Sequence, residues 1–166
     1  MKLGIFYEHQ VPRPWDDRSE HRVFPEALEQ IEVADRIGLD HVWEVELAAA
    51  SQRTKNIRLG HGINLTSPLY NHPARVAERV ATLDLLSNGR VDWGTGESAT
   101  LMEMEGFNIV PEEKHAQWKE GAEQAANMMV MQPYPGFQGQ YFSMPARNVL
   151  PKPMQKPHPP LWLACS

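Results

Sequence analysis

The sequence predicts an α/β fold in which parallel strands alternate with helices, and three observations carry that expectation. Short apolar runs alternate with longer stretches of helical periodicity along the 166 residues. Pro, Gly and Asn punctuate the joins where helices begin and stop. The final run, Leu161 to Ala164, is again an apolar strand. Strands joined in this way form a parallel sheet that must be covered on both faces.

Lys2 to Tyr7 is a short apolar run and reads as a buried strand. A polar, Pro-containing loop follows, to about Val23. Pro25-Glu26-Ala27-Leu28 is expected to open a helix, with Pro in its first turn and Glu beside it. Ala27, Leu28, Ile31, Ala34 and Ile37 keep helical spacing, and Gly38 is the expected stop. His41-Val42-Trp43 begins a second strand. Leu47 to about Thr54 is a short helix, and Ile57 to Leu65 a third strand. Pro73 to Leu86 is amphipathic, with Val76, Val80, Leu83 and Leu86 on one side and Asn88-Gly89 as its stop. Arg90 to Thr95 is the fourth strand. Pro111 to Met131 is a long helix with Glu112 and Glu113 in its first turn, where the helix dipole favours anions. Its Met128-Met129-Val130-Met131 end reads as core packing. Pro133 to Pro160 is irregular, with a small hairpin expected around Tyr141-Phe142.

Two architectures meet this pattern. One is an open doubly wound sheet; the other is the first part of an eight-stranded barrel, which takes roughly 250 residues when complete. An open sheet normally ends on a covering helix, whereas this chain ends on an apolar strand that would be a bare edge. That favours the barrel, with about four βα units and a fifth strand in one domain over residues 1–166. Open edges also raise the expectation of a homo-oligomer.

Composition narrows the function. A net charge of -5 argues against nucleic-acid binding, which needs a basic surface. No apolar run approaches the roughly 20 residues of a membrane span, and the N-terminus lacks a signal-peptide pattern. The single cysteine, Cys165, excludes an internal disulfide and fits a reducing cytoplasm.

The most informative segment for chemistry is Gly89 to Ser98. It runs from a helix stop through a strand to a Gly-rich loop at the strand's C-terminal end, the active-site face of a barrel. Gly94 and Gly96 would let backbone approach a flat ligand, and Thr95, Glu97 and Ser98 could hydrogen-bond it. The alternative is a tight turn that needs glycine for its dihedrals. At the end of the third strand, Gly62 leaves room in a barrel mouth or marks a bulge. Glu44 and Glu46 share a side at the end of the second strand, placed for acid–base work or merely solvated. His9 and His61 lie near strand ends and could face a pocket. No histidine pair has metalloprotease spacing, so no metal is expected.

Several stretches, taken together, resemble the bacterial luciferase-like flavin-dependent monooxygenases. They are Leu3-Gly4-Ile5-Phe6, Ala34-Asp35-Arg36-Ile37-Gly38-Leu39-Asp40, Arg58-Leu59-Gly60, His72-Pro73-Ala74-Arg75-Val76-Ala77-Glu78, and Leu83-Asp84-Leu85-Leu86-Ser87-Asn88-Gly89-Arg90. Their order and approximate spacing match over nearly the whole chain. The resemblance implies a TIM-type (βα)8 barrel that binds reduced FMN, or F420 in one branch, and uses O2 to oxygenate a small organic substrate. A dehydrogenase on the same barrel and a non-catalytic flavin binder are the alternatives. A flavin reductase would supply the reduced cofactor.

By position, the resemblance makes Gly62, Ile63 and Asn64 the flavin-facing strand end, where a non-proline cis peptide is common. Gly94, Thr95, Gly96 and Glu97 would border the flavin ring, and Ser166 would begin the phosphate grip. Luciferase itself has a cysteine and an arginine at the positions of Gly96 and Glu97, which counts against light emission. Many members continue the second strand as Trp-x-x-Glu-His-His and a long loop. Here Glu46 is followed at once by Leu47-Ala48-Ala49-Ala50. A loop, and a histidine that would serve as catalytic base, are therefore expected to be missing between Glu46 and Leu47.

Overall fold

The computed structural model describes the chain except for Gln10, Pro12, Trp15, Asp17, Val45, Glu46, Cys165 and Ser166. Its elements run β1 (Gly4–Phe6), α1 (Ser19–Ile37), β2 (His41–Glu44), α2 (Leu47–Arg53), β3 (Arg58–His61), β4 (Asn64–Leu65), α3 (Pro73–Leu86), β5 (Val91–Gly96), α4 (Leu101–Gly106), α5 (Lys114–Val130), β6 (Phe137–Gln138), β7 (Ser143–Met144) and β8 (Leu161–Leu163). All neighbours in the main sheet are parallel, in the order β1-β2-β3-β5, with β4 and β8 also on β5. Helical crossovers between parallel strands are the barrel pattern the sequence predicts.

Strand alternation sorts the side chains. Val42, Leu59, Val91 and Trp93 face the helical layer and meet Ile31, Ala50, Val76, Val80, Ala125 and Met128 in one core. Burying each such aliphatic side chain contributes about 1.5–3 kcal/mol. The opposite face carries His41, Trp43, Arg58 and Asp92. Asp92 is 2% exposed and accepts from Arg58 Nε at 2.8 Å, with His41 Nε2 at 3.3 Å. This hydrogen bond raises the Arg58 pKa against the opposing pull of burial. Trp43 stacks on His41 and meets Trp162 edge-on.

Carboxylates pin the connecting segments by accepting from backbone N–H groups. Asp35 receives the amides of Lys55, Asn56 and Ile57. Burial pushes its carboxyl up, but those amides and the charge of Arg90 outweigh it and hold it below the usual range. Glu120 receives the amides of Gln140, Tyr141 and Phe142, fixing the β6–β7 hairpin against α5. Asp84 receives the Gln155 amide and its side-chain Nε2.

Several expectations need correction. The first helix begins at Ser19, so Pro25 lies inside it, on an exposed turn. A turn built from Asp16, Ser19 and Arg22 starts the helix earlier than Pro25 would. Ile37 and Leu86 are exposed at their helix ends, beyond the reach of the sheet. β1 is not buried: Leu3 and Phe6 are more than half exposed, because it has a strand neighbour on one side only. The third strand is split into β3 and β4 at Gly62-Ile63. The helix α4 is an addition, and the long helix opens with a 3-10 turn, Pro111–Glu113. The remaining elements, including the hairpin at Tyr141-Phe142 and the buried Met128 and Met129, lie where expected.

Candidate active site

Beyond the C-terminal ends of β4, β5 and β8 lies a cavity of about 470 Å³. Ile63, Ala99, Leu163 and Ala164 form its apolar wall, and Glu97, Ser98 and Lys114 supply polar groups. This is the end of the sheet where βα loops build sites in barrels. Ser98, immediately after β5 and Glu97, has a φ of 76°, a left-handed backbone uncommon outside glycine. That turn aims consecutive residues, Glu97 to Ala99, at one hollow.

The polar groups are tied together. Glu97 Oε1 lies 2.6 Å from His115 Nδ1, and its Oε2 lies 3.8 Å from Lys114 Nζ. Lys114 Nζ donates to the Ser98 carbonyl at 3.3 Å, and Ser98 Oγ donates to Glu103 Oε2 at 2.5 Å. Lys114 and His115 stand in the first turn of α5, so that helix start closes the cavity's polar side.

The structure gathers some of the expected site residues and not others. Ile63 and Glu97 line the cavity. The Gly62–Ile63 peptide is cis, as the resemblance implies for this strand end. Asn64 pairs with Thr95 across β4 and β5, and its buried Oδ1 has no hydrogen-bond partner among the described residues. Gly96 faces Ile63 and Ala164, so its bare Cα makes room for the wall itself. Gly94 lies deeper, where a Cβ would strike the His61 carbonyl and the Trp43 ring; the close approach there is to the chain's own atoms. Thr95 turns into the helical layer, where its hydroxyl accepts from Trp118 Nε1 at 3.1 Å and meets Thr66 Oγ1. Strand alternation makes that orientation unavoidable once Gly94 and Gly96 face inward. Glu44 ends β2, while Glu46 and Ser166 lie outside the described residues.

The histidines divide in the same way. His61 faces the outer layer, lining a hollow between α2 and α3 with Leu47, Leu83 and Leu86. Burial lowers its pKa to about 4, so it is held neutral. His9 lines a hollow between β1 and α1. His72 caps α3, its Nδ1 accepting from the Ala74 amide. Sequence reasoning passed over Lys114 and the role of His115. The signal was a Lys-His pair at a helix start, but nothing in linear spacing joins it to Glu97. Among the described residues no cluster of His, Cys, Asp and Glu could hold a metal ion, and no helix is long and apolar enough to cross a membrane.

The family model described as "Luciferase-like monooxygenase" matches residues 1–166. The chain belongs to this family. The oxygenase component of the flavin-dependent trigonelline monooxygenase of Acinetobacter baylyi is 27% identical over 184 residues, covering 99% of this chain and 49% of the relative. Among solved structures, monooxygenase RslO1 from Streptomyces bottropensis superposes with a TM-score of 0.89 at 31% identity, covering 98% of this chain and 53% of that one. The oxygenating constituent of 3,6-diketocamphane monooxygenase from Pseudomonas putida, solved with FMN, shares the fold with a TM-score of 0.82 at 19% identity, over 98% and 51% of the two chains. This chain therefore spans about half the length of the relatives it matches.

Proposed function

We propose that this chain supplies one wall of the flavin site in a monooxygenase that uses reduced FMN and O2 to oxygenate a small organic substrate. The observation that carries the reading is the cavity at the strand C-termini, with an apolar wall on one side and Glu97, Ser98 and Lys114 on the other. Flat ring systems are held by such mostly apolar hollows with a few placed polar groups. Ile63, Leu163 and Ala164 fit the face of a flavin ring. Gly96, whose bare Cα admits the Ile63 side chain, lets that wall form, and Ser166 is assigned to the phosphate end. Reduced FMN, when bound, would supply the electrons that activate oxygen; the protein's part is to orient the ring and exclude water.

The trigonelline relative is an oxygenase component, which supports a separate flavin reductase as partner, and the lone Cys165 supports a reducing, cytoplasmic setting. The alignment with that relative spans 184 positions against the 166 residues here, so the relative carries extra residues within the matched span, and we assign them to a segment between Glu46 and Leu47. Fluorescence titration of the 166-residue chain with FMN, followed by oxygen uptake with reduced FMN, tests the reading. Saturable FMN binding is expected. Tight binding of F420 instead, with hydride transfer and no oxygen uptake, would replace the monooxygenase by a dehydrogenase.

A further inference from the structure

We infer that Glu97 and His115 form a proton-delivery pair that connects the cavity to solvent, an assignment that rests on the oxygenase reading above. Glu97 is a cavity-lining side chain, 24% exposed, while His115 is 65% exposed, so one partner touches the hollow and the other touches water. A 2.6 Å contact between Oε1 and Nδ1 joins them. That length lies just below the usual range of charge-assisted N–H···O bonds, and a carboxylate can only accept, which makes Nδ1–H the donor.

Both members are held in place. The imidazole packs at 5.3 Å against Trp118, whose indole N–H is anchored on Thr95 of β5. Glu97 follows β5 directly, and Lys114 Nζ stands 3.8 Å from its second oxygen. The imidazole is therefore tied to one strand by two routes. No described residue hydrogen-bonds His115 Nε2, which is left for water.

The chemistry needs such a path. With flavin bound as its reduced anion, oxygenation balances as substrate + O2 + FMNH⁻ + H⁺ giving oxygenated substrate + FMN + H2O. One proton is consumed at every turnover and must reach the cavity. In the pair, water protonates Nε2, Nδ1–H passes to the Glu97 carboxylate, and the resulting acid gives its proton to the cavity. Ring tautomerisation through water then resets His115. Positioned proton transfer of this kind contributes about 10²–10⁴-fold in rate.

The first test needs no cofactor. Proton NMR of the 166-residue chain should show a His115 Nδ1–H resonance downfield of the amides, displaced in Glu97→Gln. Its absence from the wild type would overturn the pair. The second test uses FMN-loaded protein. His115→Ala should keep FMN affinity, lose at least about tenfold in oxygenation rate and recover with added imidazole. FMN binding with an unchanged His115→Ala rate would sink the relay alone. Failure of the wild-type chain to bind FMN would sink the oxygenase reading and the relay with it.

Discussion

The two ends of the same strands treat charge in opposite ways. Near the N-terminal ends of β2, β3 and β5, Asp92 is nearly inaccessible and held by Arg58 and His41. Aromatic rings of Trp43 and Trp162 close over that network. At the C-terminal ends, Glu97, Ser98 and Lys114 stay partly exposed around a hollow. A saturated, buried charge set has no capacity left for a ligand and serves cohesion. A partly exposed one costs less to keep and retains free valences. The foot of the sheet is built for stability and its head for binding.

The contrast can be broken by mutation, and the largest effect is expected at the foot. Asp92→Ala leaves Arg58 and His41 without the carboxylate, with only the Val91 carbonyl and Gln155 Oε1 still accepting from Arg58, and should destabilise the chain by about 3–5 kcal/mol, read by urea unfolding. A cost below about 1 kcal/mol would remove the distinction between the two ends. Next is the buried His61, which belongs with the structural residues. Its folded pKa of about 4 lies below the usual 6.5, so its contribution is complete above pH 6.5 and is lost as pH falls toward 4. The loss should be on the order of 3 kcal/mol, and His61→Gln should flatten that part of a pH–stability curve.

Gly94→Ala tests the boundary between the two regions. A methyl there meets the His61 carbonyl and should cost about 1–3 kcal/mol in thermal or urea unfolding. The smallest stability effect is expected at the head. Glu97→Gln removes only partly exposed ion pairs, worth less than about 1 kcal/mol. It should nevertheless slow FMN-dependent oxygen uptake, and that separation of stability from turnover would sharpen the contrast most.

Much of the fold was legible because strands and helices here follow their periods. Val76 and Val80 mark the buried face of α3, and Asn88-Gly89 its end. The start of α1 was not legible, since it depends on a side-chain turn around Asp16 rather than on Pro25. The cis peptide at Gly62-Ile63 was foreseen only through family likeness, and the split of the strand there was not, because periodicity reads straight across it. At the site, Glu97 was readable as a residue just past a strand end, while Ile63 came only from the family likeness. Thr95 was misjudged because being next to two glycines in sequence places it on the opposite face of the strand. Lys114 joins the cavity only through the tertiary course of the chain between β5 and α5, which no local pattern encodes.

β5 has neighbours along both of its edges, β3 and β4 on one and β8 on the other, and all six of its residues are buried. Its amide protons should be the last in the sheet to exchange with deuterated water, while those of β1 and β8, each with one partner strand, exchange early. The register Trp93↔Leu161 closes a long loop, so β8 docks at an entropic cost and, on opening, gives up the Trp162 contacts with His41 and Trp43 of β2. A molecule bridging Ile63 and Leu163 across the cavity would hold that strand shut. Ligand occupancy would then be recorded as slowed exchange at Leu163 and Ala164, with β2 and β3 unchanged.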